Sequence, residues 1–280
     1  MNLSEKIATP SLGVNPLTKQ RSLQALILSG KSWFVVAFIG QIFFTVYIIG
    51  LYGVSAVQGD FTRWNTVMPH GYVDGDLTGN LSIMVHLLLA ALVNIGGPLQ
   101  IIPQVRRRWP RFHRWTGRAY IIAGFLISLS GIYLVWVRGS VGVMADHISI
   151  TINALLIMAF AALTIRFARK RQLTQHRKWA LRLFMVMSGV WFFRLGVMLW
   201  LLIHQAPVGF DPNTFTGPFL TAMNFAQYLL PLAILQLFFW AKEKGSLPGR
   251  YVATAVIAIA TLATAVGIFA VTMGMWLPRI

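Results

Sequence analysis

The chain has 280 residues, of which 56% are hydrophobic and only 11% are charged, and its mean hydropathy is +0.66. A soluble domain carries about 25% charged residues, so the composition excludes an ordinary soluble protein. The formal net charge is +17, but the basic residues lie in clusters between apolar runs. That distribution is typical of the cytoplasmic loops of membrane proteins and argues against a nucleic-acid partner. The absence of cysteine excludes disulfides, thiolate metal sites and covalent attachment of a cofactor through a CxxCH motif.

Runs of about 20 apolar residues recur along the chain, and each is long enough to cross the hydrocarbon core of a bilayer. They predict an all-α, polytopic membrane bundle with about seven transmembrane helices. The predicted spans are 33–56, 81–104, 111–137, 148–168, 174–204, 219–241 and 251–275. Residues 1–32 are predicted to be a cytoplasmic N-terminal segment with an interfacial amphipathic helix over 18–29. Residues 33–280 are predicted to be a single transmembrane domain.

The Lys and Arg residues that flank these spans predict the orientation. One side of the membrane receives 20 of the 24 basic residues, in four groups around Lys19, Arg107, Arg171 and Lys244. The other side receives three basic residues together with five of the seven acids. Because cytoplasmic loops carry the excess of Lys and Arg, the N-terminus is predicted to be cytoplasmic and the C-terminus to lie outside.

Four of the six histidines fall on four successive predicted helices and alternate between the two membrane faces. They are His86, His113, His147 and His176. His113 and His176 begin outward-running helices at the inner face, whereas His86 and His147 lie near the outer face. Ionisable groups within membrane spans are expected to be functional, and a neutral imidazole ligates haem iron without adding charge. The arrangement therefore predicts a four-helix ligand-binding core over 81–204 that holds two b-type haems, with iron ligated by His86 and His147 outside and by His113 and His176 inside.

Each histidine also has a simpler interpretation. His86 can be hydrogen-bonded to a neighbouring helix, and His113 and His176 can belong to a basic interfacial face. His147 follows Asp146 at the start of a helix, where local capping would explain both residues. If His147 is not a ligand, His204 at the end of the fifth span is the alternative outer partner.

Arg194 lies within the fifth span, in the run WFFRLG and about nine residues from its outer end. Nine residues correspond to about 13 Å of helix, which is too deep for its guanidinium to reach water easily. No acidic residue is evident at that depth, so Arg194 is predicted to bind an anion such as a propionate of the outer haem. Contact with backbone carbonyls, or cation–π contact with Trp191, Phe192 or Phe193, is the alternative.

The basic loops carry two related motifs that begin with His-Arg. The strings GPLQ at 97–100, RRRWP at 106–110, HRWTGRAY at 113–120 and HRKWALR at 176–182 resemble the bacterial membrane-protein family known as domain of unknown function 2306. The resemblance runs from His86 to Arg194 and implies family membership but no established activity. His86, His113 and His176 match its motif positions, whereas His147 does not lie in a shared motif. The predicted cofactor site also includes four arginines of the two motifs, Arg114, Arg118, Arg177 and Arg182.

The order of the histidines is similar to that in the ascorbate-reducible two-haem b-type cytochromes. In that family the second and fourth helices share one haem and the third and fifth share the other. The similarity implies pairing of His86 with His147 and of His113 with His176. The present chain departs from that pattern because it has a seventh span and no recognisable ascorbate-site motif.

The sequence therefore predicts a transmembrane electron-transfer protein, or a membrane-bound oxidoreductase, of the bacterial inner membrane. Spans one, six and seven are expected to cover the haem-binding core laterally. A quinol, a flavoprotein or a small reductant is the expected redox partner, and anionic lipids are expected at the basic cytoplasmic loops. The alternative is a non-redox integral membrane protein without a cofactor, either a small-solute transporter or an assembly factor.

Overall fold

The computed structural model describes residues 15–68, 70–139 and 142–280. Within these residues the fold consists of helices, and the only β-structure is an isolated bridge between Asp211 and Thr216. The main helices are, in chain order, α1 (Pro16–Gln58), α2 (Leu77–Ile101), α3 (Pro110–Gly139), α4 (Met144–Arg169), α5 (Leu173–Met187), α6 (Gly189–His204), α7 (Pro218–Glu243) and α8 (Leu247–Arg279). A short helix, Pro103–Arg108, joins α2 to α3. The predicted all-α membrane bundle is confirmed.

Six of these helices are each long and apolar enough to cross a membrane, and there are up to seven spans if the bent pair α5 and α6 counts as one. The six are α1, α2, α3, α4, α7 and α8. The order of these spans agrees with the order predicted from the apolar runs. We call the end of the bundle that carries His113 and His176 the inner end, and the opposite end the outer end.

The bend between α5 and α6 is 51° and lies at Ser188, which the sequence analysis treated as part of one continuous span. Ser188 precedes Gly189, and such Ser-Gly pairs are a common cause of helix kinks. The Ser188 hydroxyl donates to the Phe184 carbonyl at 2.9 Å and accepts from the Gln41 side chain of α1 at 2.9 Å. Because of the bend, α6 packs mainly against α7 and α8.

Helices α2 to α5 form a closed ring of neighbours. In this ring α2 packs against α3, α3 against α4, α4 against α5, and α5 against α2. Consequently α2 lies diagonally opposite α4, and α3 lies diagonally opposite α5. Each predicted histidine pair is thus carried by two helices that face each other across the bundle, which is the arrangement from which helical bundles build cofactor sites.

A layer of buried side chains fills the middle of this ring. It contains Val93 of α2, Tyr120 of α3, Ile157 of α4 and Leu183 of α5, together with Tyr228 of α7. Val93 lies seven residues after His86, and Tyr120 lies seven residues after His113. Seven residues correspond to about 10 Å of helix. The packed layer therefore separates the outer histidines from the inner ones.

The first helix begins well before the predicted span. Residues 18–29, predicted as an interfacial helix, belong to α1 itself. Leu26 is completely buried and packs with Ala241 of α7 and with Ala253 of α8, and the Arg250 guanidinium donates to the Lys19 carbonyl at 3.3 Å. The start of α1 is thus held by the inner ends of α7 and α8. The earlier part of the predicted N-terminal segment, residues 1–14, lies outside the described residues.

At the outer end, a buried arginine connects α2 to α3. Arg138 forms an ion pair with Asp76 (Nε to Oδ2, 3.0 Å) and donates to the Asn80 side chain at 2.7 Å and to the Gly79 carbonyl at 3.0 Å. A charged hydrogen bond of this kind is stronger than a neutral one. These contacts fix the relative positions of the two helices close to His86.

The orientation can be tested with reporter fusions. A phosphatase that is active only in the periplasm, fused after residue 108 or after residue 172, is expected to be inactive because both positions lie in Arg-rich loops. A fusion after residue 75, in the acidic loop between α1 and α2, is the control and should be active. Activity at position 108 or 172 would show that the predicted orientation is wrong.

Candidate functional site

His86 lies on α2, half-buried, and its ring faces α3. Its Nδ1 lies 2.8 Å from the Ser130 hydroxyl, and that hydroxyl itself donates to the Ile127 carbonyl at 3.0 Å. When the Ser130 hydroxyl donates to the Ile127 carbonyl, its oxygen accepts from Nδ1–H of His86, and Nε2 of the neutral ring carries the free lone pair. When the hydroxyl donates to Nδ1 instead, the ring proton lies on Nε2.

The hydrogen bond of His176 at the inner end has only one possible direction. This half-buried ring lies near the start of α5, and its Nδ1 lies 3.0 Å from the Thr164 carbonyl of α4. A carbonyl oxygen can only accept, so Nδ1 of His176 is the donor, and Nε2 of the neutral ring has the lone pair. A metal-ligating histidine is usually held in this way, by a hydrogen bond from its other ring nitrogen.

The tautomer of His113 depends on Gln100 at the end of α2. The side-chain amide of Gln100 lies 2.9 Å from His113 Nδ1 and 2.6 Å from the Thr116 hydroxyl. When the amide nitrogen faces the ring, it also donates to the His113 carbonyl at 3.1 Å, and the amide oxygen accepts from Gly117 N–H at 3.3 Å. In that orientation Nδ1 accepts. This orientation satisfies all the contacts of the amide, so a neutral His113 carries its proton on Nε2. Gln100 would have to turn its amide oxygen towards Nδ1 to leave Nε2 free for a metal.

His147 and His204, the two alternative outer partners, lie in different surroundings. His147 is half-buried in the first turn of α4, its ring meets Trp136 of α3 edge-on at 5.8 Å, and its Nε2 is buried with no hydrogen-bond partner among the described residues. His204 is exposed at the outer end of α6, where its ring covers Trp200 at 3.8 Å and its Nδ1 donates to the Trp200 carbonyl at 3.0 Å. Burial and the unpaired Nε2 favour His147.

The arginines of the two His-Arg motifs cluster at the inner end. Arg114 and Arg177 are exposed. Arg118 lies over the Trp115 ring at 4.9 Å. Arg182 lies over Trp179 at 4.7 Å and donates to Gln236 of α7 at 2.8 Å. The guanidinium groups of Arg118 and Arg182 are therefore held on aromatic faces, whereas those of Arg114 and Arg177 are free to meet an anionic group.

The inner end is strongly positive. Burial, and then the neighbouring charges of Arg177 and Arg107, lower the pKa of Arg106 in the short helix before α3. Each of these influences disfavours the charged form of a guanidinium. The crowding of like charges creates a potential that attracts anions to the inner ends of α3 and α5.

Arg194 lies on α6, close to α1. Its Cζ atom is 5.2 Å from the centroid of the Phe44 ring, and its Nε is buried with no hydrogen-bond partner among the described residues. The aromatic partner is therefore on α1, whereas the sequence analysis considered only the aromatic neighbours on the same helix. The positive charge of Arg194 also lies close enough to the His86 ring to act on it electrostatically. Helix α1, which was expected only to cover the core, thus contributes directly to the surroundings of Arg194.

The residues that fix the histidine rings were not predicted from the sequence. Ser130 and Gln100 are polar residues in or next to apolar spans, a signal that singles out candidates for contacts between helices. Thr164 acts through its backbone carbonyl, which no side-chain pattern can reveal. The structure therefore adds a hydrogen-bond partner for Nδ1 at three of the four predicted ligands.

A family model described as "Predicted membrane protein (DUF2306)" matches residues 83–229, slightly more than half of the chain. The match contains all four predicted ligands and Arg194. No curated protein and no solved structure matches the chain. The chain belongs to this predicted membrane-protein family, as the motifs around His113 and His176 indicated.

Proposed function

We propose that this member of the family is a transmembrane electron-transfer protein with two bis-histidine b-type haems, one near each face of the bundle. The observation that carries the proposal is the hydrogen bond that each of His86 and His176 makes through Nδ1 to a neighbouring helix. Nδ1 of His176 donates to the Thr164 carbonyl, and Nδ1 of His86 can donate to the Ser130 hydroxyl, which leaves Nε2 of each neutral ring for iron. One such histidine is present at each end of the bundle, and a metal-ligating histidine is usually held in this way.

The remaining ligands come from the diagonally opposite helices. His147 of α4 would complete the outer site with His86 of α2, and His113 of α3 would complete the inner site with His176 of α5. The residues present fit the group at the outer site, because the buried Nε2 of His147 has no other partner among the described residues. At the inner site, Gln100 would have to turn its amide oxygen towards His113 Nδ1 for His113 to bind through Nε2. When bound, haem would supply reversible one-electron chemistry, with His86 and His147 holding one group and His113 and His176 the other.

The side chains of this chain position and insulate the two sites. The layer that contains Tyr120 and Ile157 excludes water from the middle of the bundle. Arg194 places a positive charge near His86, and Arg114 and Arg177 do so at the inner end. Arginine forms strong, often bidentate hydrogen bonds with carboxylates, so these groups would hold the propionates of the outer and inner haems.

The protein is an integral membrane protein, and we place it in the inner membrane of a bacterium with the Arg-rich loops in the cytoplasm. A quinol, a flavoprotein or a small reductant would exchange electrons with it. Anionic lipids would bind its inner end, where a surface groove between α3 and α4 joins apolar Phe125 and Ile165 to three cations, Arg166, Arg169 and Lys170. Clusters of this kind attract acidic headgroups.

The absorbance spectrum of the purified protein tests the proposed function. We expect a Soret band and, after reduction with dithionite, a sharp α-band that is typical of low-spin bis-histidine haem. Expression with added δ-aminolevulinate ensures that haem supply is not limiting. A monodisperse protein that remains colourless under these conditions would refute the proposal and leave the transporter or assembly-factor alternative.

A further inference from the structure

Buried polar atoms without a hydrogen-bond partner are concentrated where α1, α6 and α8 meet. Among the described residues, seven such atoms lie in this region: Gln41 Oε1, Tyr47 Oη, Tyr52 Oη, Trp191 Nε1, Arg194 Nε, Thr272 Oγ1 and Trp276 Nε1. Native proteins leave few buried polar groups unpaired, because each one loses its hydrogen bonds to water without replacement. A concentration of this kind indicates a polar occupant.

The aromatic residues in this region surround Arg194. Its guanidinium carbon lies 5.2 Å from the Phe44 centroid, and Phe44 stacks on Trp276 at 5.2 Å and on Tyr47 at 6.2 Å. Tyr52 meets Tyr47 edge-on at 5.9 Å, and its hydroxyl lies near that of Tyr47 and near the positive charges of Arg194 and Arg279. Two phenol hydroxyls and one indole N–H thus lie close to the guanidinium of Arg194.

The charges and donors in this region define what it can bind. Tyr47, Tyr52 and Trp276 are 0%, 3% and 1% exposed, so water does not reach them freely. None of α1, α6 and α8 contains Asp or Glu, so these helices supply no countercharge to Arg194. Phenol hydroxyls, indole N–H and guanidinium are all donors. The guanidinium of Arg194 surrounded by donors matches an anion with several acceptor positions, such as a carboxylate.

We propose that Arg194, the hydroxyls of Tyr47 and Tyr52, and the indole N–H of Trp276 form a buried binding site for one carboxylate group. A carboxylate accepts two parallel bonds from a guanidinium and has lone pairs left for other donors. It can be a propionate of the outer haem or the carboxylate of a free small molecule. The first source rests on the proposed function, and the second does not.

The first experimental arm uses the full chain in nanodiscs and sodium propionate as the probe. Propionate is expected to raise the melting temperature saturably relative to sodium chloride at the same ionic strength. Arg194→Gln should weaken this binding more than about tenfold, because it removes the charged donor. Tyr52→Phe removes only one hydroxyl and should weaken it roughly fivefold. Tyr72→Phe, which removes the hydroxyl of an outer-loop tyrosine stacked on Phe61, is the matched control and should change nothing.

The second arm applies to protein that is purified with haem, in which a propionate would already occupy the site. Haem labelled with ¹³C at its propionate carboxyl groups is followed by infrared difference spectroscopy. Arg194→Gln and Tyr52→Phe are expected to shift one labelled carboxylate band, and Tyr72→Phe to leave it in place. Tyr52→Phe keeps the test decisive if Arg194→Gln does not fold.

The two arms separate this proposal from the proposed function. Colourless protein that binds propionate through Arg194 would support the carboxylate site and refute the haem proposal. If the haem-containing protein binds added propionate but its labelled carboxylate bands do not shift in the variants, the site binds the carboxylate of a free small molecule. If neither arm responds to Arg194→Gln or Tyr52→Phe, the carboxylate site does not exist, whether or not haem is present.

Discussion

Substituting alanine for His113 or for His176 is expected to remove one haem, the same one in both variants. Under the proposed function, each histidine would supply one ligand of the inner iron, and a chain without cysteine would have no covalent attachment to retain the group. The haem-to-protein ratio should fall from about two to about one in either variant and in the double variant, since b-type haem depends on its axial ligands. The ratio is measured by the pyridine haemochrome assay on monodisperse protein.

Controls for this experiment come from the two histidines that the proposal does not use as ligands. His70 lies outside the four-helix ring, and His204 is exposed at the end of α6, so His70→Ala and His204→Ala should keep the full ratio. A reduced ratio in His204→Ala but not in His147→Ala would reassign the outer partner. If the double variant His113→Ala/His176→Ala retains the full ratio, the inner site does not exist.

The sequence predicts the spans well because hydrophobicity alone determines which segments enter the bilayer. It does not predict the bend at Ser188, because Ser and Gly occur in many straight membrane helices. What distinguishes this position is the Gln41 side chain, which lies 147 residues earlier in the chain and donates to the Ser188 hydroxyl. A contact over that separation depends on the packing of α1 against α5 and α6, which the apolar pattern does not specify.

At the candidate site, too, the sequence reveals some features and hides others. His86 and His176 are conspicuous in sequence because polar residues in or beside apolar spans are rare. The hydrogen bonds of their rings cannot be predicted from the sequence, because they involve Ser130 of α3 and a backbone carbonyl of α4. The cluster of Tyr47, Tyr52 and Trp276 is also hidden in sequence, because aromatic residues in spans one and seven are ordinary components of a membrane bundle.

Replacing Arg194 with leucine is expected to lower the midpoint potential of the outer haem and to leave that of the inner haem nearly unchanged. A nearby positive charge favours the reduced, less positive iron, so its removal favours the oxidised form. For unit charges about 10 Å apart and an effective dielectric constant of about 20, Coulomb's law gives about 1.7 kcal/mol. That energy corresponds to about 70 mV for a one-electron couple.

The measurement is a spectroelectrochemical redox titration of the variant beside the unaltered protein. Arg114→Leu is the matched control: it removes the same charge, but from an exposed position at the inner end. Solvent screens an exposed charge, so the outer potential should not change in that variant. The Phe44 ring alone can compensate a buried guanidinium by about 2 kcal/mol. Unchanged potentials in Arg194→Leu would therefore mean that Phe44 is the main partner of Arg194 and that no propionate depends on it.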